Sequence, residues 1–136
     1  MDFRYKLSRF KGLAYRPMEV FAQTLQCLNG ATKRMELEYR ACGDFDAHWV
    51  FARKHFYPCQ KEAEIRGFVE WANQWKPKTI VEIGVAKGGK TYLMANGIDS
   101  VRSLVGVDFF PRSRDMLRHF FPERVGLHFV SGPSVD

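Results

Sequence analysis

The residues of this chain whose types and spacing could do chemistry are Asp108 and a short run from Ile80 to Thr91, "IVEIGVAKGGKT". Gly84, Gly89, Lys90 and Thr91 satisfy G-x-x-x-x-G-K-[ST], in which backbone amides and a lysine cradle the phosphates of a nucleoside triphosphate. The same letters put a carboxylate, Glu82, two positions before Gly84 and a Gly88-Gly89 pair after it. An acid in that place suits a ligand with a cationic end, and the glycines let backbone approach a nucleoside closely. Asp108 stands 24 positions after Gly84, where an acid can grip adjacent ribose hydroxyls.

Either chemistry needs a strand to deliver the loop and a helix to follow it. Thr79 to Ile83 is rich in β-branched residues and reads as a short buried strand. After the glycines, Tyr92, Leu93, Met94 and Ala95 belong to a helix that Asn96-Gly97 stops. "LVGVD", Leu104 to Asp108, is the next strand. Pro111 begins another helix, with Met116, Leu117, Phe120 and Phe121 on its inner face, and Leu127 to Val130 is a last strand. Upstream, Ile65, Phe68, Val69, Ala72 and Trp75 predict one face of a helix from about Gln60 to Trp75, ended by Lys76-Pro77.

The alternation of strands and helices predicts an α/β fold, with parallel strands and right-handed crossovers. The N-terminal part, 1–57, reads as a helical and irregular segment, and 58–136 as the sheet-bearing domain. Helices are expected over Met18 to Leu28 and over about Thr32 to Arg40, whereas "DAHWVFARKHFY", Asp46 to Tyr57, is compatible with helix or strand.

The chain has 136 residues, 46% hydrophobic and 26% charged, a length and composition that suit one folded domain. Its formal net charge is +6, of which +4 falls in residues 1–58 (10 basic, 6 acidic) and +2 in 59–136 (11 basic, 9 acidic). That bias is mild and no nucleic-acid motif accompanies it, so a solvated surface is the preferred reading and nucleic acid is not expected as a partner. Cys27, Cys42 and Cys59 are odd in number and widely spaced, which favours a reducing compartment. A metal set drawn from Cys42, His48, His55 and Cys59 matches no standard zinc spacing, and no metal is expected. Neither a signal peptide nor a membrane span is legible, and a cytoplasmic location is the expectation.

Three features bear on the glycine loop. Glu82 would be a buried charge mid-strand, costing several kcal/mol unless paired, and a cationic ligand would supply the pair. Asp108 favours a nucleoside site, although it could also end a strand of a triphosphatase or cap a helix. Only 45 residues follow Thr91, few for the metal-holding and sensor parts of a triphosphatase. Together they favour a methyl-donor site over a phosphate cradle.

"KPKTIVEIGVAKGGKTYLMA", "LVGVDFF" and "LHFVSGPSVD" resemble the first half of class I S-adenosylmethionine-dependent methyltransferases. The similarity is to the branch that includes cephalosporin-hydroxylase-like and sugar O-methyltransferases, whose loop reads E-I-G-x-x-x-G-G-[ST], and it covers about residues 58–136. The resemblance implies the first three strands of a Rossmann-like sheet and S-adenosylmethionine as cofactor. It implies that Glu82, Gly84 and Gly88 contact the methionine part, Asp108 the ribose, and Ser134 or its loop the adenine side, with Val85, Ala86, Gly89 and Phe109 also among the cofactor-binding residues.

Two positions depart from the pattern. Lys90 stands where the family has Ser or Thr, and Pro133 replaces the Asp of a G-D-S triplet. In the family a fourth strand beside the first ends in a D-G-x-H-like motif, which carries the metal-binding or catalytic acid. No such motif occurs by Asp136, so no catalytic base is assigned and methyl transfer by these residues alone is not expected. The implied partners are a small-molecule methyl acceptor and, along the open edge of the first strand, a second copy or a separately encoded C-terminal half. The stretch around Trp49 to Tyr57 is the expected cover if the chain shields that edge itself. A nucleotide-binding protein of the phosphate-loop kind, and an interaction module that keeps the fold without the ligand, are the competing readings.

Overall fold

The computed structural model describes residues 30–109 and 114–132. The expected helix over Met18 to Leu28, and Cys27, Pro111, Pro133 and Ser134, lie outside them. The chain divides into two compact units, Met1–Met35 and Glu36–Asp136. Its elements are α1 (Ala31–Arg40), α2 (Phe45–His55), α3 (Glu62–Trp75), β1 (Thr79–Ile83), α4 (Gly89–Gly97), β2 (Ser103–Asp108), α5 (Arg114–His119) and β3 (Gly126–Ser131). The fold is α/β, with a three-stranded parallel sheet of order β1-β2-β3 in a partial Rossmann-like arrangement. Among the described residues no helix is long and apolar enough to cross a membrane.

Period-two alternation sorts the sheet into two faces. Ile80, Leu104 and Leu127 form one cross-strand row, and Glu82, Gly106 and Phe129 the next. This face is covered: Leu104 is wholly buried and Glu82 nearly so. The opposite face carries Val81, Ile83 and Val130, each more than half exposed. On its outer side β1 has no strand partner among the described residues.

Asp44 decides the conformation of the aromatic stretch. Its side chain accepts the Ala47 amide at 2.8 Å, capping α2 and satisfying a donor that the first helical turn leaves open. The stretch therefore spends its backbone bonds within a helix and adds no strand to β1. It packs on α4 instead, burying Trp49, Phe51 and Ala52. The expected edge cover by Trp49 to Tyr57 is thus not what the fold makes of these residues, because their apolar side chains match a helical period and find Tyr92.

Tyr92 is the centre of an aromatic core. Phe51 stacks on it at 5.3 Å between ring centroids and Phe56 lies at 5.2 Å, while Phe120 packs 5.6 Å from Phe51. Its buried hydroxyl meets His48 Nδ1 at 2.7 Å. Burial lowers the pKa of His48 and raises that of Tyr92, so both shifts favour the pair of a neutral imidazole and a protonated phenol. Within the same unit Glu38 ties α1 to α2 through Lys54 (2.7 Å) and His55 (2.8 Å), and those two partners hold its carboxyl down at about 2.

On α3 the buried residues are Ile65, Val69 and Ala72, whereas Phe68 is 37% and Trp75 72% exposed. The expected inner face was drawn too wide. At about 100° per residue, Phe68 and Trp75 fall on a neighbouring stripe, where they contact Trp71. The helix ends at Lys76, which takes a left-handed conformation (φ 53°) ahead of Pro77.

The aromatic core yields a direct test. Phe120 is 1% exposed and contacts three rings of the cluster, so Phe120→Ala should cost about 3–5 kcal/mol of stability, read by urea denaturation.

Candidate functional site

The loop between β1 and α4 is shaped by backbone conformation and by packing, and its glycines divide accordingly. Gly84 has φ +83°, and no described heavy atom lies within 4 Å of where a Cβ would project. Gly88 also has a positive φ, but a Cβ there would come 2.1 Å from Leu117 Cδ1 on α5. At Gly89 a Cβ would lie 2.4 Å from the Pro58 backbone nitrogen. Only Gly84 therefore leaves space for a ligand, while Gly88 and Gly89 let α4 sit close to its neighbours.

Val85 turns inward and is 3% exposed. It fills space over the sheet that Gly106 leaves open, where a Cβ would meet Val85 Cγ2 at 2.7 Å. Its side chain is thus a packing element, and only its backbone faces the loop. Ala86 takes a left-handed conformation at φ 51°, uncommon for a residue with a Cβ. Its amide donates to Asp108 Oδ2 at 2.8 Å, which brings the carboxylate at the end of β2 against the loop. Lys87 Nζ lies 4.3 Å from the Tyr57 ring centroid, a cation–π contact. Phe109 follows Asp108 and is partly exposed.

Glu82 is the buried charge that the sequence suggests. Its side chain is 2% exposed, on the covered face of β1. The Thr91 hydroxyl, itself wholly buried, donates to Oε2, and Lys90 Nζ lies 3.2 Å from Oε1. Burial raises the carboxyl above its ordinary value, and the nearby Asp108 charge adds to this; Thr91 and Lys90 pull the other way.

The structure thus brings Glu82, Gly84, Ala86 and Asp108 together at the C-terminal ends of two adjacent parallel strands. Ser134 lies outside the described residues, and Gly88 and Gly89 serve packing in this arrangement. In the sequence Lys90 and Thr91 fit the phosphate motif, and Lys90 also departs from the methyltransferase pattern; their joint attachment to Glu82 is visible only in the structure. The available signal was a buried acid followed, after a five-residue loop, by two polar residues on the first helical turn. The four residues of the conceivable metal set do not converge: His48 meets Tyr92, Cys42 donates to the Glu38 carbonyl, His55 pairs with Glu38 and Cys59 is exposed. A separate groove of about 300 Å³, lined by Asp44, His48, Arg66, Glu70 and Asn73 among others, lies by Gly97 at the other end of α4. Compared with protein-family models, curated proteins and solved structures, the chain gives no match.

The sign of the Glu82 effect is testable. A carboxyl whose folded pKa is raised binds its proton more tightly in the folded state, so its contribution to stability is full below about pH 4.5 and is lost as pH rises through the folded pKa. Glu82→Gln should therefore gain stability relative to wild type between pH 4 and pH 7, whatever its offset at a single pH. Paired urea titrations at the two values check this. In the same assay Gly89→Ala should cost about 1–3 kcal/mol, since Pro58 backbone blocks the added methyl.

Proposed function

We propose that the loop binds the adenosine moiety of a methyl donor, S-adenosylmethionine or its product S-adenosylhomocysteine, as the donor-binding portion of a class I methyltransferase. The observation that carries this reading is the pair of carboxylates, Glu82 and Asp108, that adjacent strand ends bring to either side of the open Gly84. In a parallel sheet with helices on one face, ligands sit beyond the carboxyl ends of the strands. Asp108 would accept from the ribose hydroxyls, exchanging or sharing its bond to the Ala86 amide. The backbone at Gly84 would lie against the sulfur-bearing part of the donor. Ser134 is assigned to the adenine side by resemblance, and the methyl acceptor would be a small molecule. The catalytic step itself, attack of an acceptor oxygen on a sulfonium methyl, depends on positioning and electrostatics, and no residue here is assigned as its base.

The phosphate-cradle reading is weaker on electrostatic grounds. The three groups a triphosphate and its magnesium would recruit already meet carboxylates: Lys90 and Thr91 at Glu82, and the Ala86 amide at Asp108. A carboxylate against the loop repels a phosphate entering it.

Titration calorimetry separates the two. Binding of S-adenosylhomocysteine without magnesium, and none of ATP with or without it, is expected. Magnesium-dependent ATP binding that disappears in Lys90→Ala would sink the donor reading, and silence with every ligand would favour a fold kept for interaction alone. Asp108→Ala should weaken nucleoside binding by about 1.5–3 kcal/mol, the worth of a charged hydrogen bond, with an unchanged circular dichroism spectrum.

A further inference from the structure

Lys90 occupies an unusual place in this site. Glu82 is a buried acid with both oxygens engaged, Oε2 by Thr91 and Oε1 by the Lys90 ammonium 3.2 Å away. The Lys90 side chain keeps 28% of its exposure, so it reaches the acid from the solvent margin. Consecutive positions on the first turn of α4 allow Lys90 and Thr91 to address one carboxylate from two sides. Lys87, the other lysine of the loop, is drawn to the Tyr57 ring. Asp108, a second acid near Glu82, has the same sign and makes no competing pair with it.

A buried carboxylate attracts one cation strongly, and here the chain provides it. A ligand ammonium approaching Glu82 must displace Lys90 or settle beside it. Displacement gives up an ion pair that is largely shielded from water, and cohabitation sets like charges in contact. A nucleoside with no positive charge at that end meets neither penalty. We propose that Lys90 is a specificity-determining residue, an internal counter-ion that occupies Glu82 and turns the loop toward neutral thioether nucleosides and against those whose thioether arm bears an ammonium with no carboxylate to engage Lys90; the amino-acid end of S-adenosylhomocysteine brings such a carboxylate. This rests on the nucleoside reading of the loop and adds to it which charge on the thioether arm the site resists.

Two probes differ at that end: 5′-methylthioadenosine is neutral, and 5′-(3-aminopropyl)thioadenosine carries an ammonium and no carboxylate that could recruit Lys90. Calorimetry with both, on wild type, Lys90→Met and Lys90→Arg, is the test. Wild type should prefer the neutral probe by about tenfold or more, Lys90→Arg should keep that preference, and in Lys90→Met the affinity ratio should move about tenfold or more toward the amine. An equal ratio in wild type and Lys90→Met overturns the role of Lys90 while leaving the nucleoside reading intact. Failure of folded wild type and both variants to bind either probe overturns the nucleoside reading, and the role of Lys90 with it. Should Lys90→Met fail to fold, the Glu82→Gln/Lys90→Met double variant buries no charge at these positions. There the preference should fall to within about twofold of unity, and a wild-type preference would overturn the proposal.

Discussion

A carboxylate on the covered face of a parallel sheet is the constraint around which this site is organised. Taking an acid out of water costs several kcal/mol, and the surrounding structure must return much of it. Glu82 gets that return from one helical turn: the Thr91 hydroxyl on one oxygen, the Lys90 ammonium on the other. Those two residues reach it because α4 starts close to the end of β1, and α4 can do so because Gly88 yields to Leu117 and Gly89 to the Pro58 backbone. The position of α4 in turn seats Tyr92 among Phe51, Phe56 and Phe120, which attaches α2. One buried charge and one aromatic core thus share a single helix, the charge satisfied by its first turn and the core filled from its next residue.

The same arrangement explains how one string of letters can fit two motifs. A loop that follows a strand and opens a helix has the backbone amides a phosphate needs, whatever its flanking residues. What differs is the sign of the charge already present. Here two acids converge on the loop from neighbouring strands, and the cationic and hydroxyl side chains of the phosphate motif are turned toward one of them. The motif constrains backbone shape, while its electrostatic surroundings bear on which ligand that shape suits.

Strand β1 was legible in the sequence to the residue, and β2, β3 and α4 to within a few positions, because short β-branched runs between Gly and Pro punctuation leave few alternatives. Helix α2 was not, since "DAHWVFARKHFY" has aromatic residues that suit either period; the deciding signal, Asp44 as a cap, lies just before that stretch. The inner face of α3 was misjudged at Phe68 and Trp75 because hydrophobicity was allowed to stand for burial, and large aromatics are often exposed. At the site, Glu82 and Asp108 could be picked out by spacing. Their partners within the chain could not, because which side chain answers a buried acid depends on how close the following helix comes, and that distance is set by glycines whose neighbours are remote in sequence.

The unequal duties of the three loop glycines carry an evolutionary consequence. Gly88 and Gly89 answer to folding, since Leu117 and Pro58 would reject a side chain at either position. Gly84 has no such neighbour within reach, although its backbone angle still favours glycine. A descendant that abandoned its ligand would still be selected to keep the Gly-Gly pair, merely to keep α4 seated. The motif can persist without a ligand, and Lys90 with it, since buried Glu82 still needs its counter-ion; drift would surface first at Asp108, whose replacement does not require the backbone to move.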